Sequence, residues 1–246
     1  MKSAYMFVRD RTTRLLQYAE FRIAMTSFFF DTPKSDYQPL PWVGIESAQV
    51  RGEATIERWT AIKASIPKDG TSLKDVGCSV GYFCHQFASR VGTRSVGIDG
   101  NPTLINVANY VSNRAGLAER ESFCHMRVDP DSVRLLPNTD ITLLLSIWHH
   151  WVYEYGLDAA TKMLISVWQT TSKVMFFESG QEEVAEEFKL PFQEDAALWL
   201  ENYLGSVLPN SQVSVIGEFG AGSYKHYHIK QGSRSLFKVT RDAHKE

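Results

Sequence analysis

A doubly wound, mostly parallel α/β sheet with an N-terminal helical extension is the fold that three stretches of this 246-residue sequence predict. The first is Leu73-Lys74-Asp75-Val76-Gly77-Cys78-Ser79-Val80-Gly81, which reads as strand, acidic residue, tight glycine turn and helix start. The second is Ser95-Val96-Gly97-Ile98-Asp99, a short strand that also closes on a carboxylate. The third is Ile141 to Ser146, a continuous apolar run of the kind a central strand covered on both faces requires.

The other elements follow in order. Residues 1–30 read as helix, with Leu15, Leu16, Ala19, Ile23 and Phe28 to Phe30 as its burial candidates. Pro33, Pro39, Pro41 and Gly44 make residues 31–44 a loop. The division expected is therefore an extension over 1–55 and a main domain over 56–242. Thr55 to Ile66 reads as a short amphipathic helix, stopped by Pro67 and the Asp69-Gly70 turn. Strand 72–77 leads to helix 80–91, where Phe83 and Phe87 share a core-facing stripe. Strand 94–99 leads to helix 102–116, and strand 121–128 precedes a loop at Asp129-Pro130. After strand 141–146 come helix 157–170 and strand 173–178. The acidic stretch 181–190 is expected to face solvent. Helix 193–205 precedes strands 212–217 and 235–240, a pair joined by a long loop.

Composition narrows the classes of function. Hydrophobic residues make up 43% of the chain, as in a globular protein. The net charge of −2 and pI near 6.4 give no bulk electrostatic grip on nucleic acid. Nucleic acid is a possible but not favoured partner. Three cysteines, Cys78, Cys84 and Cys124, are too few and odd in number for a disulfide scaffold and fit a reducing compartment. No secretory signal is evident, so the cytoplasm is the expected location. The apolar run Phe21 to Phe30 contains Arg22 and is too short to span a bilayer. It is read as packing on the domain, with a peripheral place on a membrane surface as the alternative.

The two strand-closing carboxylates define the chemistry expected. Parallel strands bring Asp75 and Asp99 to one crevice beyond the carboxyl ends of the sheet, where open α/β sheets bind ligands. The first turn lets a cofactor approach the backbone, and Asp99 can hold a ribose diol. A nicotinamide fingerprint would need Gly-x-Gly-x-x-Gly, and the chain offers Gly77-x-x-x-Gly81. Asp75 would repel a pyrophosphate but suits a cation. The turn resembles motif I of the class I methyltransferases, Asp-Val-Gly-Cys-Gly-x-Gly, matched at Asp75, Val76, Gly77, Cys78 and Gly81. It departs at Ser79, which should fit without a strongly positive φ unless the turn differs slightly. The resemblance implies a Rossmann-like sheet of seven strands with a terminal antiparallel insertion. It implies S-adenosyl-L-methionine as cofactor and S-adenosyl-L-homocysteine as product.

From the same placement, the cofactor-contact candidates are Arg51, Asp75, Gly77, Cys78, Ser79, Gly81, Asp99, Gly100, Asn101, Asp129 and Ser146. Arg51 or Arg58 could hold a carboxylate, or could pair with Glu53 or Glu57 on the surface. Asp129 is expected to accept from the adenine amine, with Asn101 on the other side of the base. Ser146 ends the central strand and is followed by Trp148-His149-His150. Either His149 or His150, with His150 favoured, could act as general base; the plainer reading has one histidine packing or bonding to backbone. Trp148 is read as a pocket wall against the alternative of a core plug. Lys225, His226 and His228, in the loop between the last two strands, are candidate acceptor contacts. Neither His226 with His228 nor Cys84-His85 with Cys124-His125 has zinc-site spacing, so no metal is expected.

The segments Asp75-Val76-Gly77-Cys78, Gly97-Ile98-Asp99, Leu145-Ser146-Ile147-Trp148-His149-His150 and Ile216-Gly217-Glu218-Phe219 follow one another in an order similar to a single branch. They resemble the methyltransferase half of bacterial O-antigen chain-terminating enzymes, over about residues 70–240. That resemblance implies O-methylation of a hydroxyl or phosphate on a saccharide or other small molecule. The sequence carries no kinase motif, so a coupled kinase would be a separate chain. RNA methylation is the alternative within catalysis. A non-catalytic cofactor-binding or scaffold protein is the alternative outside it.

Overall fold

Strands whose residues alternate between two apolar faces form a sheet that must be covered on both sides, and the chain does this with β4 and β5 at the centre. The computed structural model describes residues 38–44, 50–192, 195–221 and 232–242, with backbone alone for 50–53. The expected helix over 1–30 lies outside these residues. The strands are β1 (Ser72–Val76), β2 (Arg94–Asp99), β3 (Glu121–His125), β4 (Thr139–Leu145), β5 (Thr171–Glu178), β6 (Ser211–Gly220) and β7 (Ser233–Arg241). They form one seven-stranded sheet in the order β3-β2-β1-β4-β5-β7-β6. β1 to β5 are parallel, and β7 runs antiparallel to both β5 and β6. This is the doubly wound sheet, with its antiparallel terminal insertion, that the sequence predicts.

Among the described residues the helices are α1 (Val50–Ser65), α2 (Tyr82–Ala88), α3 (Pro102–Ala115), α4 (Trp148–Tyr155), α5 (Leu157–Gln169) and α6 (Ala196–Val207). The alternation along β4 and β5 sorts them. Ile141, Leu143, Leu145, Val174 and Phe176 pack with Trp59 and Ile62 of α1 and with Phe83 and Phe87 of α2. Leu144, Met175 and Phe177 turn the other way and pack with Trp148, Trp151, Met163, Leu164 and Leu200 of α4, α5 and α6. A period of two, read against two apolar layers, is why the strand sequences look uniformly hydrophobic. α3 begins at an Asn101 cap whose side chain accepts from the Thr103 and Leu104 N–H groups, and ends at Gly116 with φ 69°. Both signals belong to helix ends.

Beyond shifts of a few residues at element ends, four features differ from the sequence reading. The helix read from Thr55 begins at Val50, so the expected division at 55/56 falls inside α1. β3 ends at His125 rather than residue 128, which hands Met126 to Val128 to the following loop. Residues 148–155 form a helix that periodicity over so short a segment did not announce. The stretch 181–190 is not simply solvent-facing. Val184 and Leu190 are buried in the core, and Glu183 is held inside by Arg234.

Candidate active site

The parallel strands end at one edge of the sheet, and their closing residues follow strand order. Met126 to Val128 come after β3, Asp99 ends β2, Gly77 follows β1, Ser146 and Ile147 follow β4, and Glu178 ends β5. β7 is antiparallel, so its first residues, including Arg234, reach the same edge. A solvent-open crevice of about 210 Å³ lies over the first half of this edge. Its walls are Val76, Gly77, Ile98, Asp99 and Gly100, then Met126, Arg127 and Val128, then Ile147, His150, Trp151 and Glu154. Arg127 and Glu154, on opposite walls, form an ion pair.

The turn after β1 depends on its glycines and tolerates one non-glycine. Gly77 has φ 82°, and a Cβ there would meet Ile147 Cδ1 at 2.2 Å. Ser79 has φ 53°, so it does adopt the left-handed conformation that it was expected to avoid. Its amide explains how the turn holds: Ser79 N–H donates to Asp99 Oδ2 at 2.9 Å. Asn101 N–H donates to the other oxygen, Oδ1, at 2.8 Å. Asp99 is half-buried, and burial raises its pKa although those two amides pull it down. Gly81 takes φ 83°, and Cys78 is buried.

Asp75 is different. It is buried, and its Oδ2 makes no hydrogen bond. Burial first, and then the Asp99 charge, push its pKa up to about 8. A buried carboxyl oxygen without a donor carries a large desolvation cost when ionised, and a cationic group supplies what is missing. The donor set therefore fits a cation beside the glycine turn and a diol at Asp99, as S-adenosylmethionine would present. It does not fit a diphosphate.

Several expected contacts lie elsewhere. The Asp129 carboxylate caps its own turn, with Oδ1 accepting from the Asp131 and Ser132 amides and from Ser132 Oγ. The early end of β3 is the reason, because Met126 to Val128 take the crevice position instead. Asn101 spends its side chain on the α3 cap. Trp148 is fully buried against Phe177, Trp199 and Tyr203, so it is a core residue and not a pocket wall. His149 is buried, and its Nδ1 accepts from the Gly180 N–H at 3.0 Å. Burial holds its pKa well below the usual histidine range. His150 is exposed at the crevice wall, and its pKa is also lowered, by desolvation and by the Arg234 charge. The Arg51 side chain and Lys225, His226 and His228 lie outside the described residues.

Beyond Ile147 the edge continues into a small polar pocket of about 20 Å³, room for about one water molecule, bounded by Gln38, Thr55, Arg58, Phe83, Leu145, Ser146, Glu178, Ala221 and Arg234. Among the described side chains, Arg58 turns inward to Glu178 and away from Glu57. Its Nε donates to Glu178 Oε2 at 2.5 Å, and its Nη2 donates to the Gly220 carbonyl at 3.2 Å. Ser146 Oγ donates to Glu178 Oε1 at 2.9 Å and accepts from Arg234 Nη1 at 2.8 Å. Arg234 Nε donates to Glu183 Oε1 at 2.6 Å. Ser146 has φ 60°, a strained value for a non-glycine residue, of the kind that collects at functional sites. The sequence reading did not select Glu178, Arg234 or Glu183. Glu178 had a usable signal, since it closes an apolar strand as Asp75 and Asp99 do. Arg234 had none without the strand direction. Among the described residues no three His, Cys, Asp or Glu side chains are grouped to hold a metal ion, and no helix is long and apolar enough to cross a membrane.

No family model and no curated protein matches the sequence. Solved structures do match in fold. A low-resolution structure of WbdD superposes with a TM-score of 0.60 at 20% identity, covering 84% of this chain and 38% of that one. A medium-resolution structure of the bifunctional kinase-methyltransferase WbdD gives a TM-score of 0.55 at 20% identity, covering 84% of this chain and 44% of that one. This chain thus spans less than half the length of those WbdD chains. Magnesium protoporphyrin IX methyltransferase (ChlM) from Synechocystis PCC 6803, with bound SAM, gives a TM-score of 0.60 at 15% identity, covering 90% of this chain and 97% of that one. With the strand order and the antiparallel β7, these likenesses show that the chain has the class I methyltransferase fold.

Proposed function

We propose that this protein is an S-adenosylmethionine-dependent methyltransferase that acts on an oxygen of a small-molecule or glycan acceptor. The observation that carries the reading is the pair of carboxylates at adjacent parallel strand ends, one of them buried with an orphaned oxygen. When bound, the cofactor would supply an electrophilic methyl group on a sulfonium. The chain's own residues then divide the remaining work. Asp75 supplies the negative charge near the cationic end, and Asp99 accepts from the ribose hydroxyls. Met126 to Val128 flank the adenine in the place expected of Asp129. Gly77 keeps the turn low enough for close approach. His150 takes the acceptor's proton, since its lowered pKa leaves the ring unprotonated and able to accept near pH 7. Orientation across the crevice supplies much of the rate, because methyl transfer needs in-line alignment.

Calorimetric titration with S-adenosylmethionine and S-adenosylhomocysteine tests the reading. Asp99→Ala removes a charge-assisted hydrogen bond worth about 1.5–3 kcal/mol, so it should weaken binding at least about tenfold. Unchanged affinity in that variant, or no binding by the wild type, would reject the placement.

A further inference from the structure

We propose that His85 and Glu121 are positioning residues for the cofactor turn, holding the Val80 carbonyl so that residues 77–81 keep the shape a cofactor meets. This rests on the methyl-transfer reading and adds to it two residues that do not line the crevice.

Placement comes first. The turn after β1 has two halves with separate supports. In the first half, the Gly77 and Cys78 N–H groups donate to the Ile98 carbonyl at 2.7 and 3.1 Å, and the Ser79 N–H donates to Asp99. β2 therefore holds that half. The second half leads into α2, whose N-cap is Gly81, a residue with no side chain to cap with. Val80 precedes the cap, so its carbonyl lies outside the helical ladder. That carbonyl is met by His85 Nε2 at 3.2 Å. Nδ1 of the same ring lies 2.8 Å from Glu121 Oε1, at the start of β3.

Packing comes second. Glu121 and Phe123 stand two residues apart on β3, so they share one face of the sheet. Glu121 meets the His85 ring through a hydrogen bond, and Phe123 meets it edge-on with centroids 5.2 Å apart. Trp42 contacts the same imidazole at 5.0 Å. A Cβ on Gly81 would come within 2.6 Å of Phe123 and 3.1 Å of His85 Nε2. The turn thus packs directly on the two rings, and a shift of His85 is passed to it.

Protons come third. A carbonyl oxygen only accepts, so the contact with Val80 assigns a proton to Nε2. The partner at Nδ1 sets that assignment and the direction of the ring, and here it is the Glu121 carboxyl group. Glu121 is buried, and its Oε2 has no donor. A buried carboxyl group with one oxygen unmet costs stability, and an apolar residue of similar size would fill the space at less cost. What the carboxyl group adds, and an apolar residue could not, is the aim of His85 at Val80.

The test uses the full chain and calorimetric titration with S-adenosylhomocysteine, with melting temperatures measured alongside. His85→Gln can place an amide N–H where Nε2 stands, whereas His85→Phe keeps a ring and loses the donor. His85→Gln should bind within about twofold of wild type, and His85→Phe at least about fivefold more weakly, the scale of one lost hydrogen bond. Glu121→Gln, which can still donate to Nδ1, should also stay within about twofold, and Glu121→Met should be weakened like His85→Phe. The second pair carries the comparison if His85→Phe does not fold. In wild type with isotope-labelled histidine, His85 should show a proton on Nε2 that exchanges slowly with solvent. A purely structural role would lower melting temperatures and leave the affinity of the folded protein unchanged. Wild-type affinity in folded His85→Phe or Glu121→Met, equal losses in each Gln variant and its apolar counterpart, or an unprotonated Nε2 would overturn the proposal. Failure of wild type to bind S-adenosylhomocysteine at all would instead remove the methyl-transfer reading beneath it.

Discussion

Binding of the cofactor should expel a proton from Asp75, and the structure sets its amount. With a carboxyl pKa of about 8 in the ligand-free protein, roughly nine in ten molecules are protonated there at pH 7. A cationic ligand needs the ionised form, so complex formation should release close to one proton. Affinity should then rise about tenfold for each pH unit from 6 to 8 and level off above, because each unit of deprotonation costs about 1.4 kcal/mol. The assay is calorimetry at pH 7 in buffers of different ionisation enthalpy, where the slope of heat against that enthalpy counts protons. Asp75→Asn should release none and should bind with no such pH dependence. The stability of the ligand-free protein carries the same signature with its own sign. The folded pKa lies above the unfolded value near 4, so the stabilisation is complete below pH 4 and is lost as pH rises through 8. The difference in melting temperature between wild type and Asp75→Asn should therefore shift against wild type across that window. No proton release in wild type, together with pH-independent affinity, would refute the claim that the orphaned carboxyl is what the cation binds.

Other outcomes follow from single contacts. Ser79→Gly relieves a left-handed residue at a gain of about 1–2 kcal/mol, against an entropic loss of about 0.5–1 kcal/mol. The ligand-free protein should melt a few degrees higher, and a lower melting temperature would show that the Ser79 side chain contributes more than the strain costs. Trp148→Ala opens a hole among Phe177, Trp199 and Tyr203 and should cost about 3–5 kcal/mol of stability in denaturant unfolding. A near-normal stability with a raised acceptor KM would return Trp148 to the pocket wall. His150→Ala should cut turnover while leaving cofactor affinity within about twofold, whereas His149→Ala should act through stability, since it leaves the buried Gly180 N–H without its acceptor. Equal losses of turnover in the two variants at full folding would contradict that division.

The sheet was legible because its signals are local. A carboxylate or glycine closes each early strand, and an apolar run marks β4. The site was legible only as far as strand ends reveal it. Asp75, Gly77, Asp99 and His150 were singled out this way, because each lies within a few residues of a strand's carboxyl end. What sequence could not supply was the partner of each polar group. Arg58 meets a residue 120 positions away, and Arg234 meets Ser146 across 88. Asp129 and Asn101 look alike in sequence as polar residues after a strand, yet both are used up by the turn or cap that follows them. The two adjacent histidines were inseparable until α4 appeared. On a helix, neighbours point about 100° apart, so only one of the pair can face the crevice.

Three acidic side chains close parallel strands at this edge, and their partners separate structure from function. Asp99 is met by two backbone amides, which fix its orientation and leave further lone pairs on its oxygens. Glu178 is met by a guanidinium and a hydroxyl, so its charge is compensated inside the protein. Asp75 keeps one buried oxygen without a donor and stays protonated in consequence. A buried carboxyl of that kind destabilises the ligand-free fold once ionised. Its presence at the glycine turn makes sense where a cation arrives to share the site. The same edge of one sheet thus leaves one carboxyl unsatisfied and saturates the next but one.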